Sequence, residues 1–441
     1  MLTKRTGWGR NLSAKSEIHS FEDPPGFSSQ SSKLNGLPIG LGRSYGDSAL
    51  NSGGISWSSK KLNSITLNSE TGIATCESGV TIGELERYAT TRGFFPPTVP
   101  GTEVVSIGGA IASDIHGKSH FTYGSFSSQL ISITLIKAKG GVEKLSPNGE
   151  NAKYFWATVG GMGLTGFILS AEIKLIPITS SYVDVENKRA NNLEHLMTLI
   201  KDFDKKYLYT VGWIDLSGDF RGRGIVSGGN HAPLAALPEK FKTDPLQLSG
   251  PQNLSLPDIF PSFTINPLTV RAFNELWFRK PLHNGISHLR PFLHPLDSIS
   301  NWNVIYGKQG LLQYQFQIPP GAEALLYQVL EKLRELNFGS FLGVLKQFGS
   351  ASPSQLGFAQ AGWTLAIDFP AALPGLEKVL QWIDERICEV GGRVYLAKDA
   401  RLPKSIFQQM YPEFGKWLQL KQELDPMNYW QSDQGRRLGL C

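Results

Sequence analysis

The sequence contains few cysteines, no long apolar run and no block of like charges. Its three cysteines, Cys76, Cys388 and Cys441, are far apart, a spacing that fits neither a disulfide framework nor a zinc site. We therefore predict free thiols and no metal centre. The first residues, MLTKRTGWGRN, lack the apolar core of a secretory signal. No segment approaches the roughly 18 apolar residues of a membrane-spanning helix, so we expect neither a signal peptide nor a transmembrane segment.

The remaining composition is that of a globular chain long enough for two domains. Hydrophobic residues make up 41% of the 441 residues and charged residues 18%, which separates the chain from disordered proteins. The net charge is +5, and without a long run of like charges it gives no sign of nucleic-acid binding. Such a mild positive balance suits an anionic substrate or a phosphate-rich membrane surface.

Short strands and one capped helix are predicted in the first part of the chain. Residues 64–78 alternate apolar and polar side chains around a turn, as in a hairpin. Thr81 and Glu84 form a capping box, which predicts a helix beginning there. Two further apolar runs, at 130–138 and 166–176, are typical of strands.

Beyond Pro177 the pattern changes to longer helices and strands. Helices are predicted at 193–207, 322–336 and 376–390, and strands at 207–216, 311–318, 341–348 and 363–369. This alternation favours an α+β domain in which helices cover one face of a sheet. Between residues 227 and 311 prolines interrupt the pattern, and we predict an irregular segment there that acts as a lid over a site.

Two glycine-rich loops are candidates for holding a phosphate group. GLGRSYGD spans 40–47 and SIGG spans 106–109. A backbone that approaches a pyrophosphate closely needs glycine, and its N–H groups must point at the ligand. Neither loop is a Rossmann fingerprint or a Walker A loop, and each alone is more often an ordinary turn. Two such loops, followed by GGMGLTG at 160–166, favour a nucleotide site.

These motifs resemble a known family of flavoproteins. GLGRSYGD, SIGGAIASDIHGKSH and FWATVGGMGLTGFI are similar to the FAD-binding domain of the vanillyl-alcohol oxidase superfamily. LLQYQFQIP, GWTLAIDFP, GGRVYLAKDAR and SDQGRRLGL, in that order towards the C-terminus, resemble the decaprenylphosphoryl-β-D-ribose 2′-oxidases within it.

The resemblance implies a two-domain α+β flavoprotein that binds FAD. We expect an FAD-binding domain at 1–180, an antiparallel-sheet substrate domain at 181–392 and a C-terminal segment, 393–441, that returns to the FAD-binding domain. The residues that the resemblance assigns to FAD are Gly40, Gly42, Arg43, Ser44, Tyr45, Gly46, Asp47, Gly101, Ser106, Ile107, Gly108, Gly109, Ser113, Asp114, Ile115, His116, Ile168 and Tyr395.

The chain departs from the family at several positions. Arg43 stands where members that link FAD covalently carry a histidine, and a guanidinium, which stays protonated, cannot form that bond. We therefore predict non-covalent FAD. Thr364 and Ala366 replace an asparagine and a cysteine of actinobacterial members, and Leu293 replaces a tyrosine, so the substrate pocket differs in detail.

Two residues are candidates for catalysis. The resemblance places Lys398 in the active site, where it would take a proton from a sugar hydroxyl or act as a cation; the alternative is a solvated lysine paired with Asp399. His116, in DIHGK, would pack near the flavin or a substrate hydroxyl, although a lone histidine is more often a structural one.

A further group of residues is predicted to bind substrate. Gln313 and Gln315 share one face of a predicted strand, and two amides suit the donors and acceptors of a sugar. Lys346, within an apolar strand, would pair with a substrate phosphate. Tyr306 and Thr364 complete the predicted pocket. For the glutamines and Lys346 the alternative is a sheet surface or strand end that faces water.

The reaction implied is oxidation of the C2 hydroxyl of a polyprenyl-phosphoryl-β-D-ribofuranose to a 2-keto sugar. A short-chain reductase partner would complete epimerisation to the arabinose form for cell-envelope polysaccharide. We expect a peripheral protein on the cytoplasmic or periplasmic face of the inner membrane. The alternatives are a superfamily oxidase of a soluble sugar, alditol or aldonolactone, and a non-catalytic flavin-binding protein.

Overall fold

The computed structural model describes most of the chain. The described residues are 2–21, 34–217, 222–249, 254–256 and 265–441.

The strands of the described residues run through the whole chain and differ widely in length. In chain order they are β1 (Leu2–Thr6), β2 (Ser13–Ser20), β3 (Gly36–Ile39), β4 (Ile55–Ser58), β5 (Ile65–Asn68), β6 (Ile73–Glu77), β7 (Phe94–Phe95), β8 (Leu130–Ile136), β9 (Val142–Leu145), β10 (Phe167–Lys174), β11 (Ile176–Pro177), β12 (Tyr182–Ala190), β13 (Tyr209–Ile214), β14 (Gly224–His231), β15 (Leu254–Ser255), β16 (Gly285–His288), β17 (Ile299–Ser300), β18 (Leu311–Ile318), β19 (Gly343–Phe348), β20 (Gly362–Pro370) and β21 (Arg393–Val394).

The α-helices of the described residues lie between these strands and at the C-terminus. They are α1 (Ile82–Thr90), α2 (Ile107–Ala112), α3 (His120–Tyr123), α4 (Ala152–Thr158), α5 (Leu193–Lys206), α6 (Glu239–Lys242), α7 (Pro267–Arg279), α8 (Leu289–Leu293), α9 (Ala324–Arg334), α10 (Leu376–Glu389), α11 (Lys404–Met410), α12 (Phe414–Leu424) and α13 (Asp433–Leu438).

The first part of the chain forms two small sheets of four and five strands, and β7 pairs with β11 in a separate two-stranded one. One is mixed, in the order β1-β2-β4-β3, and the other is antiparallel, in the order β5-β6-β10-β8-β9. The predicted capping box is present, since the Thr81 hydroxyl accepts from the Glu84 N–H at 3.1 Å and the Glu84 carboxylate accepts from the Thr81 N–H at 2.8 Å. The capped helix α1 packs into the core of the second sheet.

The second part forms one eight-stranded antiparallel sheet, in the order β16-β12-β14-β13-β19-β20-β18-β21. Helices α5, α9 and α10 share a core with one face of this sheet, which confirms the predicted α+β fold. The helices and long strands that the sequence predicts in this part are all present.

Strand β18 separates an apolar face from a polar one. Leu312, Tyr314 and Phe316 belong to the core beneath the helices. Gln313 and Gln315 lie on the opposite side of the sheet, where they line a cavity. This is the alternation expected of successive residues in a strand. It confirms that the two glutamines share a face.

The C-terminal segment links the large sheet to the first part of the chain. It begins as β21, which pairs with β18. The Tyr45 N–H then donates to the Ala397 carbonyl at 3.0 Å, and Gly36 exchanges backbone hydrogen bonds with Tyr429 and Gln431. Residues from distant parts of the sequence therefore meet along this segment.

The prediction of an irregular segment between 227 and 311 is wrong for much of its length. It holds the end of β14, the helices α6 to α8 and the strand β16. The largest element is α7, whose cap Asn266 accepts from the N–H groups of Leu268 and Thr269, with Pro267 in the first turn. Pro267 begins this helix rather than breaking the chain. Residues 250–253 and 257–264 of the predicted lid lie outside the described residues.

Candidate active site

A large cavity lies between the polar face of the eight-stranded sheet and the glycine loops of the first part. Its volume is about 1470 Å³, enough for more than one small ligand. The predicted site residues that line it are Gly40, Gly42, Arg43, Ser44, Tyr45, Gly101, Ser106, Gly108, Gly109, Ser113, Ile115, His116, Ile168, Gln313, Gln315, Lys346, Tyr395 and Lys398.

The first glycine loop presents backbone donors to this cavity. Within the described residues, the N–H groups of residues 40–44 donate to no carbonyl or side chain, and all five residues lie in the cavity wall. Gly42 has a φ of +64°, which a glycine adopts without strain. Consecutive free N–H groups around such a turn form an anion-binding concavity. This loop therefore fits the diphosphate of a dinucleotide.

The second glycine loop contributes in a different way. Most of its N–H groups are used within the protein, because Ile107 donates to the Val80 carbonyl at 2.7 Å, Gly108 to the Ser78 carbonyl at 2.9 Å and Gly109 to the Ser106 hydroxyl at 3.3 Å. The expectation that both loops offer N–H groups to a ligand is thus wrong for 107–109. This loop lies against the first one, since a β-carbon on Gly40 would come within 2.0 Å of the Ser106 hydroxyl.

Other predicted residues lie behind the cavity wall. Gly46 lies against the Asp399 carbonyl, which a β-carbon would meet at 1.9 Å. Asp47 accepts two hydrogen bonds from Arg437, and Asp114 accepts from the Ser127 N–H and the Ser352 hydroxyl. Ile107, Tyr306 and Thr364 are likewise outside the wall and buried.

His116 is held in one tautomer by two neighbours. The Thr364 hydroxyl donates its only proton to the Phe316 carbonyl at 2.8 Å, so it must accept the Gln315 amide N–H, at 3.1 Å. The same amide nitrogen lies 2.9 Å from His116 Nε2. That nitrogen is therefore an acceptor, and a neutral ring carries its proton on Nδ1, which has no partner in the described part of the chain.

The surroundings of His116 keep the ring neutral. Burial lowers the pKa of His116 well below its ordinary value, and the charges of Lys346, His120 and Lys398 lower it further. The ring lies among Phe348, Phe358 and Tyr395, with centroids about 5 Å away. The lowered pKa favours the neutral ring, whose Nδ1 is buried.

Three lysines are brought together around the same space. Lys118, Lys346 and Lys398 are partly buried in the cavity wall. Burial lowers the pKa of Lys118 to about 7, assisted by the charge of Lys346, and burial lowers that of Lys346 to about 8. Buried ammonium groups are costly without an anionic partner. The cluster is therefore suited to binding an anion or to accepting a proton.

Lys398 faces Tyr45 rather than Asp399. Its Nζ lies 3.9 Å from the centre of the Tyr45 ring, whereas Asp399 pairs with Arg437 at 2.8 Å. The pKa of Lys398 is lowered by burial, against the attraction of Asp368, and the pKa of Asp368 is raised by burial. Gln313 donates to Asp368 at 2.5 Å. The alternative of a solvated Lys398–Asp399 pair is therefore wrong.

Sequence reasoning missed two residues of this group. Lys118 follows His116 by two positions in DIHGK, and its Nζ donates to the Leu293 carbonyl at 2.7 Å. Asp368 is opposite Gln313 in the register of β18 and β20. Lys118 could have been found as a second polar residue of the HGK motif, but Asp368 depends on a strand pairing that no local pattern reveals.

One part of the cavity wall is rich in apolar side chains. These come from α7, α8, β17, the residues that adjoin them and the short helical turns near residues 295–309. They are Leu256, Ile265, Phe273, Trp277, Leu282, Phe292, Leu296, Ile299, Trp302 and Ile305. The cavity thus combines a polar, cationic end at the sheet with an apolar end beneath α7.

Comparison with known proteins finds an FAD-binding domain and similar oxidases. The profile of an FAD binding domain matches residues 29–146. The chain is 37% identical to a decaprenylphosphoryl-β-D-ribose oxidase of Mycolicibacterium smegmatis, over 99% of the chain and 98% of that protein. An uncharacterized protein of Streptomyces coelicolor is 33% identical, over 82% of the chain and 100% of its own length. A D-arabinono-1,4-lactone oxidase of Eremothecium gossypii is 31% identical, but over only 23% of the chain.

Proposed function

This chain belongs to the family of the decaprenylphosphoryl-β-D-ribose oxidases, and we propose from this premise that it oxidises the C2 hydroxyl of a polyprenyl-phosphoryl-β-D-ribofuranose. It is an FAD-dependent oxidoreductase that acts on CH–OH groups. The product of this reaction is a 2-keto sugar, and the substrate carbon loses a hydride and its hydroxyl a proton.

The proposal rests on the different chemical character of the two ends of the cavity. A prenyl-phosphoryl sugar joins a polar sugar, an anionic phosphate and an apolar chain. The polar end holds Gln313, Gln315 and the three lysines, and the other end is lined by aliphatic and aromatic side chains. A small soluble sugar would have no use for the apolar end.

The residues that we propose for FAD are those of the sequence prediction that line the cavity. The free N–H groups of residues 40–44 would bind the diphosphate, and Tyr395, whose hydroxyl donates to the Ser113 carbonyl at 2.8 Å, would stand beside the ring system. FAD, when bound, supplies the hydride acceptor. Residues 1–180 with 393–441 would hold the cofactor, and 181–392 the substrate.

Lys398 is the proposed proton acceptor. Burial lowers its pKa, so that a neutral amine is available at moderate pH to take the hydroxyl proton at Nζ. Lys346, whose pKa is lowered only to about 8, remains beside it as a cation that binds the phosphate and stabilises a developing alkoxide. His116 lies in the cavity wall beside this group as a neutral ring held by Gln315.

The wider setting of the reaction belongs to the same proposal. Reduction of the 2-keto product from the opposite face would complete an epimerisation to the arabinose form, and this second step needs a reductase partner. Within the described residues, no helix is long and apolar enough to cross a membrane. We propose that the chain reaches a polyprenyl substrate by peripheral contact with a bilayer.

The visible spectrum of the purified protein tests this function. We expect a flavin spectrum that bleaches when a short-chain prenylphosphoryl ribose is added without oxygen. A soluble alditol or aldonolactone should leave the spectrum unchanged. Bleaching by the soluble sugars alone would transfer the chain to the rival class of superfamily oxidases, and no bleaching by any of them would favour the non-catalytic alternative.

A lysine variant tests the proposed proton acceptor in the same assay. Lys398→Ala should retain FAD but bleach about 10²-fold or more slowly, since general base catalysis contributes roughly that much. The wild-type rate should rise with pH as Lys398 loses its proton. Lys378→Ala, at an exposed lysine of α10, is the matched control and should bleach normally. An unchanged rate in Lys398→Ala would remove this residue from the mechanism.

A further inference from the structure

Helix α7 exposes an unusual amount of apolar surface. Leu268 and Leu276 are 79% and 74% exposed, and Phe273 and Trp277 on the same helix are also exposed. Single exposed hydrophobic residues are normal on a protein surface, but a contiguous group marks an interaction site. The other exposed large hydrophobic side chains of the described residues are scattered over many elements.

The exposed residues lie on one side of the helix. Leu268, Ala272 and Leu276 recur at every fourth position. Phe273 comes directly after Ala272, and Trp277 directly after Leu276. Helix geometry places these five residues on about half of the helix circumference. Val270 and Asn274, on the opposite side, are buried against the protein. Helix α7 is thus amphipathic, with its apolar half turned away from the core.

Basic residues border this apolar half. Arg271 and Lys280 are exposed, and the side chain of Arg279 is 77% exposed. The single carboxylate of α7, Glu275, is neutralised because it pairs with both Arg223 and Arg279. The border of the apolar face therefore carries a net positive charge, which suits anionic headgroups.

The apolar face is continuous with the cavity. Phe273 and Trp277 are exposed and also line the apolar end of the cavity, and Lys280 lies at the same place with its Nζ 3.0 Å from the centre of the Trp277 ring. A lysine above a tryptophan suits a membrane interface, where an aromatic ring and a cation meet headgroups. A ligand chain that leaves the apolar end would emerge beside this face.

We propose that the apolar face of α7 docks on an anionic phospholipid bilayer and sets the apolar end of the cavity at the membrane surface. This inference rests on the proposed function, because an apolar chain on the substrate gives the cavity a reason to open towards lipid. The leucines would enter the interface while Arg271, Arg279 and Lys280 contact the headgroups.

Vesicle sedimentation of the FAD-loaded full chain tests the proposal. The wild type should bind vesicles of phosphatidylcholine with phosphatidylglycerol, and bind vesicles of phosphatidylcholine alone more weakly. Leu268→Ser and Leu276→Ser together should lower the partition coefficient at least about tenfold, because two leucine side chains no longer enter the lipid. Arg271→Gln with Lys280→Gln should lower it roughly fivefold for each charge on anionic vesicles only.

Control variants separate this effect from a general loss of surface hydrophobicity. Tyr327→Ser on α9 and Met427→Ser after α12 remove side chains that are 44% and 54% exposed, and both variants should bind vesicles like the wild type. Leu268 and Leu276 are outside the cavity wall, so their serine variants should bleach normally with a short-chain soluble substrate.

Three results would overturn the proposal. The first is wild-type protein that does not sediment with anionic vesicles, and the second is leucine variants that bind as well as the wild type. The third is leucine variants whose only change is the loss of a dimer in light scattering. That result would mean that a second copy of the chain covers this face. Vesicle binding that depends on the leucines, in a protein whose flavin no prenylphosphoryl ribose bleaches, would support docking while the proposed function fails.

Discussion

At the scale of single residues, the tautomer of His116 depends on a chain of hydrogen bonds. Thr364 fixes the orientation of the Gln315 amide, and that amide makes His116 Nε2 an acceptor. None of the three side chains has to change charge for this to work. Thr364, though outside the cavity wall, is therefore a positioning residue for an imidazole of that wall.

We predict that Thr364→Val will release this constraint. Without the hydroxyl acceptor the Gln315 amide is free to turn its oxygen towards His116, which moves the ring proton to Nε2. The loss of one oriented hydrogen bond, worth about 1 kcal/mol, should slow flavin bleaching roughly fivefold. Nitrogen chemical shifts of the His116 ring should report the exchanged tautomer.

Thr364→Ser is the matched control for that experiment. It keeps the hydroxyl that accepts from Gln315 and donates to the Phe316 carbonyl, so both the tautomer and the bleaching rate should be retained. If the valine variant kept the proton of His116 on Nδ1, the described hydrogen-bond chain would not be what sets the tautomer.

The sequence predicts part of this residue-scale arrangement and not the rest. The alternation of β18 correctly puts Gln313 and Gln315 on one face, because side-chain direction in a strand has a period of two. Their partners could not be predicted, since Asp368 and Thr364 come from a strand some fifty positions later whose register is fixed by tertiary packing. Lys118 was overlooked beside the more conspicuous His116.

At the scale of elements, a buried ion pair ties α8 to the loop before α2. Arg290 donates to both carboxylate oxygens of Glu103, through Nε at 2.8 Å and through Nη2 at 2.5 Å, and both side chains are about nine-tenths buried. Burial raises the pKa of Glu103, but the hydrogen bonds and charge of Arg290 outweigh it and hold that pKa below its ordinary value.

We predict that Arg290→Met will destabilise the fold by about 3 kcal/mol, because it leaves a buried carboxylate without its partner. Arg87, 3.7 Å from the carboxylate and half exposed, compensates only in part. Denaturant unfolding should show the loss, and the double variant Arg290→Met with Glu103→Leu should recover most of it.

Acid conditions supply an independent check on the same pair. A carboxyl with a lowered pKa contributes stability that is complete above its unfolded pKa and is lost as the pH falls through its folded pKa. The stability difference between wild type and Arg290→Met should therefore shrink below about pH 4. A difference that stayed constant into acid would mean that the ion pair is not its cause.

Helix α7 shows where element prediction fails. The segment around it is rich in proline, which usually interrupts regular structure, and the apolar residues of α7 face outwards, so no pattern connects them to a core. The signal that could have found it is local: Asn266 followed by Pro267 is a helix cap followed by a favoured first residue. The capped helix α1, with its apolar face inwards, was predicted correctly.

At the scale of the whole molecule, the cavity is built from segments that only the complete fold brings together. Its walls come from the loop at 40–45, the segment at 101–118, the eight-stranded sheet and the segment at 395–398. A ligand in the cavity would add contacts to the hydrogen bonds that already join these segments, such as Gln315 to His116 and Tyr395 to Ser113. A ligand that contacts all of them should therefore stabilise the molecule as a unit.

We predict that FAD, bound without a covalent link, raises the unfolding temperature of the protein. Acid precipitation should release all the flavin into the supernatant, since Arg43 offers no covalent attachment. Returning FAD to the apoprotein at about a hundred times its dissociation constant should add about 2.7 kcal/mol of stability, visible as a higher midpoint in thermal unfolding.

Riboflavin is the matched control: it lacks the diphosphate and cannot engage the free N–H groups of residues 40–44, so it should stabilise far less. Equal stabilisation by riboflavin would remove the first glycine loop from the cofactor site, and yellow colour fixed to the acid pellet would show that FAD is attached through some other residue.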